Sequence, residues 1–199
     1  MTTVPRDGAS YRNQTFRGLR IARPLSGTAF HDCVFEDCDL REARLSGCTF
    51  ADSDFLRCDL GLMSVDDCRF EGVTIEAGHA VGINWSAARV DPNRPLEVDF
   101  KDSVLSFATF ERLALRRRRF EGCTIHEAFF IGCDLTDASF RGSDLEGTEF
   151  RDCNLSGADL RKAHHYQVDV RRNVVRGLLV RLPEATGLLH GLGVRIEEG

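Results

Sequence analysis

Cysteine is the residue type in this 199-residue chain that most invites chemistry, because thiols bind metal ions and pair as disulfides. All eight cysteines have residue numbers that end in 3 or 8: Cys33, Cys38, Cys48, Cys58, Cys68, Cys123, Cys133 and Cys153. Many other positions of this series hold alanine, serine or threonine. A slot shared by cysteine and other small residues indicates buried packing. We therefore predict a structural role for the cysteines, with neither a metal site nor a disulfide.

The histidines and the known catalytic motifs give no stronger signal. His164 and His165 are adjacent, but no cysteine or carboxylate stands at ligand spacing from them, and we predict no metal site there. The sequence contains no glycine-rich phosphate loop, no HExxH motif and no GxSxG motif. These observations predict a binding protein without cofactors, not an enzyme.

A five-residue repeat of apolar residues predicts the structural elements that position these side chains. Large apolar residues recur at every fifth position from Phe30 to Ile75 and again from Phe100 to Leu160, with a looser start near Tyr11. This period belongs to neither a helix nor a strand. A small residue stands two places before each apolar one, so both point the same way from an extended segment, and the Gly, Asp and Ser residues that follow favour turns. Repetition of this unit predicts a solenoid.

Three segments carry the pattern closely: Cys38 to Leu40, Cys153 to Gly157 and Ala158 to Lys162. Each has a small residue, then Asp or Asn, then Leu. This pattern resembles the pentapeptide-repeat proteins, and the resemblance covers roughly residues 26–182. It implies an all-β fold, a right-handed quadrilateral β-helix with four repeats in each 20-residue coil. Residues 26–165 would then supply about seven coils, with Cys38 stacked on Cys58.

Interruptions of the repeat suggest how the chain is divided. We predict a β-helix over residues 1–182, with a loose start at 1–25 and a loop or irregular region at about 86–97. Bulky residues in the small slot predict a kink or irregular coils between about 73 and 120, and Arg118 in that slot requires a bulge or a carboxylate partner. Residues 183–199 would form a short helix and tail. The apolar residues of that helix would cap the solenoid or form a two-fold dimer: Leu188, Leu189 and Leu192.

Charge is the remaining signal in the sequence. The net charge is −5, and acids outnumber bases ten to three from Asp32 to Asp67 and seven to two from Asp134 to Asp159. Carboxylates at regular intervals on a rod could imitate the phosphates of DNA, or simply keep the rod soluble, and charge alone does not separate these readings. The N-terminus lacks the pattern of a signal peptide, and no apolar run spans a bilayer, so we expect a cytoplasmic protein without membrane contact.

The C-terminal segment narrows the function. Tyr166 after the last regular repeats, the Leu-Pro-Glu-Ala start at 182–185 and the Leu-Leu helix are similar to topoisomerase-protecting members of the family. Those members are the quinolone-resistance and, more closely, the albicidin-resistance proteins. The resemblance implies a homodimeric DNA mimic that binds DNA gyrase or topoisomerase IV, without direct nucleic-acid binding, and confers antibiotic resistance or self-immunity. The alternative is a generic pentapeptide-repeat scaffold for another protein partner. The predicted partner-binding residues are Asp134, Asp137, Asp144, Glu146, Asp152 and Asp159.

Overall fold

The computed structural model describes residues 4–91, 93–190 and 192 of the chain. These residues form sixteen short strands: β1 (Ser10–Arg12), β2 (Thr15–Arg17), β3 (Leu25–Ser26), β4 (Ala29–His31), β5 (Val34–Glu36), β6 (Arg44–Ser46), β7 (Thr49–Ala51), β8 (Asp54–Leu56), β9 (Ser64–Asp66), β10 (Arg69–Glu71), β11 (Val73–Glu76), β12 (Val98–Lys101), β13 (Thr109–Glu111), β14 (Phe120–Glu121), β15 (Phe129–Ile131) and β16 (Glu149–Arg151). Trp85–Ala87 and Glu184–Thr186 are 3₁₀ turns, and Gly187–His190 forms α1. None of the helices in these residues is long and apolar enough to cross a membrane.

Each strand pairs in parallel with the strand one turn away, so the chain winds into a solenoid of about seven turns. Phe35 pairs with Phe55, which gives a repeat of 20 residues for one turn. The predicted β-helix is therefore confirmed. Four faces run along the rod, and we number them 1 to 4 after their central residues Phe30, Phe35, Leu40 and Leu45, which are all buried.

Corners between the faces have a recurrent backbone conformation. The second residue after each centre lies in the left-handed region, as at Asp37 (φ 55°) and Gly47 (φ 60°). Glycine adopts this conformation without strain, and Asp and Asn tolerate it better than other residues because their side chains hydrogen-bond locally. This requirement explains why Gly and Asp recur at that position of the repeat.

Aromatic rings stack along the core from turn to turn. The rings of Phe35 and Phe55 are 4.6 Å apart on face 2, and those of Phe110 and Phe130 are 4.7 Å apart on face 4. Trp85 joins two columns, because its ring meets Phe70 edge-on at 5.4 Å and lies parallel to Phe110 at 6.3 Å. Buried aromatic columns of this kind supply most of the apolar area that holds the turns together.

All eight cysteines are buried as free thiols, in the core positions that the repeat predicts. The backbone N–H of Cys38 lies 3.4 Å from Cys58 Sγ, so cysteines 20 residues apart do stack. Burial raises the pKa of the Cys123 thiol to about 12. A thiol that stays protonated and buried is a poor nucleophile, which agrees with a packing role.

The interruption of the repeat is short and falls where a loop or irregular region was predicted, at about 86–97. Ile75 pairs with Phe100, an offset of 25 that corresponds to five inserted residues. Ala88 and Leu96 remain buried, and between them Asp91 and Arg94 exchange backbone hydrogen bonds of 3.1 and 3.0 Å. The insertion lies on face 1, where Glu97 N donates to Phe70 O at 3.2 Å.

The bulky residues in the small slot do not break face 2. Val73 pairs with Val98 in a ladder that continues from β8 through β11 and β12 to β14, so the predicted irregular coils are limited to the insertion and the 3₁₀ turn. Arg118 finds a carboxylate, because its Nη1 lies 3.7 Å from Asp99 Oδ1. Its side chain remains 25% exposed, which avoids the cost of full burial.

The C-terminal helix is present but short. Leu188 packs against the core, whereas Leu189 and Leu192 are exposed. The three residues predicted to cap or dimerise therefore divide into one that covers the solenoid end and two that face outward. The predicted tail after residue 192 lies outside the described residues.

Candidate interaction face

The winding of the chain separates acids that are close in sequence. Each five-residue step moves the chain to the next face, so the six predicted partner-binding acids are distributed around the rod. Asp134 and Asp137 lie on face 1, and Asp159 lies on face 2. Asp144 and Glu146 lie on face 3, whereas Asp152 lies at the corner after face 4. The structure therefore brings together Asp144 with Glu146, but not all six.

Two of the six accept hydrogen bonds from arginine side chains. Asp134 accepts hydrogen bonds from Arg116 Nε at 2.6 Å and from Thr136 Oγ1 at 2.5 Å. Burial alone would raise the pKa of Asp134, but these hydrogen bonds outweigh it and leave that pKa lowered. Hydrogen bonds from Arg161 above all, and also from Arg141, hold the pKa of Asp159 well below its usual range. These carboxylates are less available to a partner than exposed Asp137 and Asp152.

Face 2 carries an alternating set of charges. Its acids Glu36, Glu76, Asp99 and Asp159 each have an Arg or Lys nitrogen within 3.0 Å. Exposed pairs of this kind contribute little to stability, about 0–1 kcal/mol each, but they cancel one another's field. Face 2 therefore presents little net potential to a partner.

Face 3 has an excess of acids. Its described residues include Asp39, Glu42, Asp59, Glu127, Asp144 and Glu146, against Arg20 and Arg41. Arg41 lies 2.9 Å from Asp39 and 3.4 Å from Asp59, and its hydrogen bonds lower the pKa of Asp39 to about 2. At the other end, no Arg or Lys of the described part lies within 4.0 Å of the carboxylates of Glu127, Asp144 or Glu146. We call these three residues the acidic end of face 3.

Two large apolar residues stand at the corner of face 3, near the middle of the rod. Leu62 and Phe107 are 62% and 52% exposed, and both have left-handed backbones with φ of 57° and 62°. Gly82 lies between them in the stack of turns, since Leu62 N donates to Val81 O and Gly82 N donates to Ser106 O. A Cβ at Gly82 would lie 2.6 Å from Leu62 Cδ2, so Leu62 covers this glycine. We call Leu62, Gly82 and Phe107 the apolar ridge.

The apolar ridge is not explained by folding. A left-handed conformation costs an ordinary side chain roughly 1–2 kcal/mol, and an exposed Leu or Phe recovers little of that by burial. Strained, exposed positions of this kind cluster at functional sites. The sequence held a signal for these residues, because Leu62 and Phe107 occupy a slot that Gly and Asp favour.

Two histidines contact the acidic end of face 3 through the carboxylate of Asp144. His165 Nδ1 lies 2.8 Å from Asp144 Oδ1, and His126 Nε2 lies 3.1 Å from Asp144 Oδ2. Burial alone would raise the pKa of Asp144, but these two imidazoles leave it lowered. Asp144 in turn raises the pKa of His165. His164 Nδ1 contacts Glu184 Oε1 of the C-terminal cap at 3.2 Å.

Comparison with known families agrees with this architecture. A family model described as a pentapeptide repeat region matches residues 23–88, and a model of eight pentapeptide repeats matches residues 115–152 and 130–164. The chain belongs to the pentapeptide-repeat family. None of these matches is to an enzyme family. No curated protein sequence matches the chain.

Solved structures share the fold of this pentapeptide-repeat protein. Two trypsin-treated variants of QnrB1, a plasmid-mediated fluoroquinolone resistance protein, each superpose with a TM-score of 0.55 at 21% identity. The first alignment covers 96% of this chain and 99% of that structure, and the second covers 97% and 99%. At this identity the similarity establishes the shared solenoid fold and nothing about function.

Proposed function

We propose that this pentapeptide-repeat protein binds DNA gyrase or topoisomerase IV in place of DNA, through face 3, and protects the enzyme from a topoisomerase poison. The observation that carries the proposal is the acidic end of face 3, where Glu127, Asp144 and Glu146 lack basic partners. The C-terminal resemblance to topoisomerase-protecting proteins supports the choice of partner. The biological result would be antibiotic resistance or self-immunity in the cytoplasm.

Uncompensated carboxylates on a rod can replace a duplex at a DNA-binding surface. Such a surface is basic, so a face of one charge sign is attracted to it and orients on it during encounter. Turns of the solenoid repeat about every 4.8 Å, which is comparable in scale to the roughly 3.4 Å spacing of phosphates along one DNA strand. The paired charges of face 2 offer no such attraction.

Homodimerisation through the C-terminal end belongs to the same proposal. The last turn and the cap expose several apolar side chains: Val174, Leu179, Leu182, Leu189 and Leu192. An exposed apolar patch at the open end of a solenoid suits a two-fold contact with a second copy. Such a dimer would double the length of the acidic rod.

The apolar ridge favours a second candidate function. Leu62 and Phe107 resemble nothing on a DNA backbone, but exposed aromatic and aliphatic side chains often carry the binding energy of protein interfaces. The protein would then be an interaction scaffold whose partner has an apolar pocket and is not a DNA-binding enzyme. In the first candidate, the same ridge would add affinity beside the acidic end.

A topoisomerase assay separates these candidates. Purified protein is titrated into supercoiling and DNA-cleavage reactions of gyrase, with an albicidin-like or a quinolone poison present. We expect restored supercoiling with one poison, and loss of that rescue in the triple variant Glu127→Gln, Asp144→Asn, Glu146→Gln. The matched control is Asp32→Asn, Asp52→Asn, Asp102→Asn, which removes three exposed acids at left-handed corners of other faces.

The control separates the effect of where the acids lie from the effect of net charge, since both triple variants change the net charge by the same amount. Equal rescue by the two variants would contradict a role for face 3. Neither rescue nor inhibition by the unmodified protein would reject the topoisomerase as partner and leave the scaffold function.

A further inference from the structure

Three of the six histidines of the chain gather beside the acidic end of face 3. The winding causes this gathering, because residues 20 apart stack on successive turns. Asp144 and His164 are bridge partners in the ladder of face 3, and Glu146 stands one turn beyond His126. A third turn contributes His165. Two imidazoles and two carboxylates from three turns thus converge at one exposed point.

The side chains are already close to ligand geometry. One ligand atom from each of His126, Asp144 and Glu146 lies within 4.8 Å of the others. His165 Nδ1 stands on the other side of the Asp144 carboxylate, at 2.8 Å. Zinc bonds of about 2.0–2.1 Å at tetrahedral angles require ligand atoms about 3.4 Å apart. His126 Nε2 and Asp144 Oδ2 are already 3.1 Å apart, and the exposed Glu146 side chain is free to rotate.

An unsatisfied nitrogen points to the same place. Nε2 of His126 is sealed from solvent and has no hydrogen-bond partner among the described residues. It lies 3.1 Å from Asp144 Oδ2, within ion-pair distance but not aligned for a hydrogen bond. A buried polar atom without a partner is unfavourable, and such atoms in folded proteins call for an explanation such as an ion. A cation bound between these groups would satisfy it.

We propose that His126, Asp144 and Glu146 bind a divalent transition-metal ion, with zinc as the best match, and that His165 orients the Asp144 carboxylate through its other oxygen. Imidazole nitrogens combined with carboxylate oxygens suit zinc, whereas magnesium and calcium prefer oxygen ligands alone. The site shares Asp144 and Glu146 with the acidic end of face 3, but zinc binding is tested without a topoisomerase, so each proposal can fail without the other. Its ion would connect two consecutive turns, and the contact of His165 with Asp144 adds the third turn, next to the contact between His164 and Glu184 where the solenoid meets the cap.

The test is zinc binding by the full, tag-free chain. Isothermal titration with zinc chloride at pH 7.5 is expected to show one ion for each chain, and a thermal scan is expected to show a higher Tm with zinc. Loss of one ligand in His126→Gln or Asp144→Asn is expected to weaken binding at least tenfold and to remove the Tm shift. His79→Gln is the matched control, because His79 is an exposed histidine in the same ladder as Asp144 but two or more turns away.

Cobalt serves as a spectroscopic probe of the same site. We expect visible absorption typical of a four-coordinate ion with nitrogen and oxygen ligands, absent from Asp144→Asn. Circular dichroism establishes that each variant is folded before its binding is compared. No saturable zinc binding by the unmodified protein would overturn the proposal. Equal binding by the ligand variants and the control would overturn it as well, since the ion would then lie elsewhere.

Discussion

Faces 2 and 3 are built from the same repeat and the same core, yet the charges of face 2 are largely paired and those at the acidic end of face 3 are not. On face 2, an Arg or Lys lies close to most of the strand acids, as Arg57 Nη2 does to Glu36 at 2.6 Å. On face 3, the acidic end has only imidazoles beside it, and two exposed apolar residues stand where the corner favours Gly or Asp. The repeat leaves the outward positions free of folding constraints, so each face can evolve its own surface.

The largest expected effect tests the core that the two faces share. Phe120 is fully buried on face 2 and stacks on Phe140 at 4.9 Å. We expect Phe120→Ala to lower the free energy of unfolding by about 3–5 kcal/mol, because a large side chain is lost from a packed interior. Urea unfolding measures this change. Phe107→Ala is the control, and a comparable loss there would contradict the assignment of Phe107 to the surface.

The next effect separates binding from stability on face 3. We expect Leu62→Ser and Phe107→Ser together to weaken partner binding by at least about 2 kcal/mol, roughly thirtyfold, if the ridge is an interface hot spot. The concentration of protein that protects or inhibits gyrase measures this loss. Val90→Ser is the control, since Val90 is also exposed but lies next to the insertion on face 1. Equal weakening by the control would remove the distinction between the faces.

A smaller effect concerns the strain at the ridge. Asn tolerates the left-handed backbone better than Leu, so Leu62→Asn is expected to raise the free energy of unfolding by up to about 1 kcal/mol. The same exchange would abolish the apolar contact, so stability and binding should change in opposite directions. Thermal or urea unfolding checks the first part. A clear loss of stability would show that Leu62 has a packing role.

The smallest expected effect is a change in the pKa of His165, beside the acidic end of face 3. Asp144 raises the pKa of His165, with smaller contributions from Glu146 and Glu184. A raised pKa in the folded state means that this pair stabilises the fold at pH below the unfolded pKa of about 6.5 and that the gain is lost as pH rises through the folded value. We expect Asp144→Asn to lower the pKa of His165, measured by NMR titration in metal-free protein. An unchanged pKa would contradict the contact.

The period of five was enough to predict much of the fold. It identified the buried residues and the solenoid itself, because each repeat must bury its own small and large side chains, and the family resemblance added the stacking of Cys38 on Cys58. It did not predict the length of the insertion, since five extra residues on face 1 preserve the register and leave the core positions in phase.

The candidate site was less accessible to sequence reasoning. Counting acids along the chain placed Asp134, Asp144 and Asp159 in one group, but the winding puts these three acids on three different faces. No pattern of neighbours indicated that Arg116 holds Asp134 or that Arg141 joins Arg161 at Asp159, since Arg116 and Arg141 come from the preceding turn. The histidine cluster was missed for the same reason, because ligand spacing within one strand or helix does not apply to residues a full turn apart.

The sequence alone determined which side chains point inward, because each five-residue repeat contains the one small and the one large residue that it must bury. Only the tertiary structure decided which outward side chains become neighbours. Contacts across turns join residues about 20 positions apart, and a shift of five residues moves a side chain to another face. The net charge of a face, the apolar ridge and the meeting of His126 with Asp144 therefore exist only once the chain is wound.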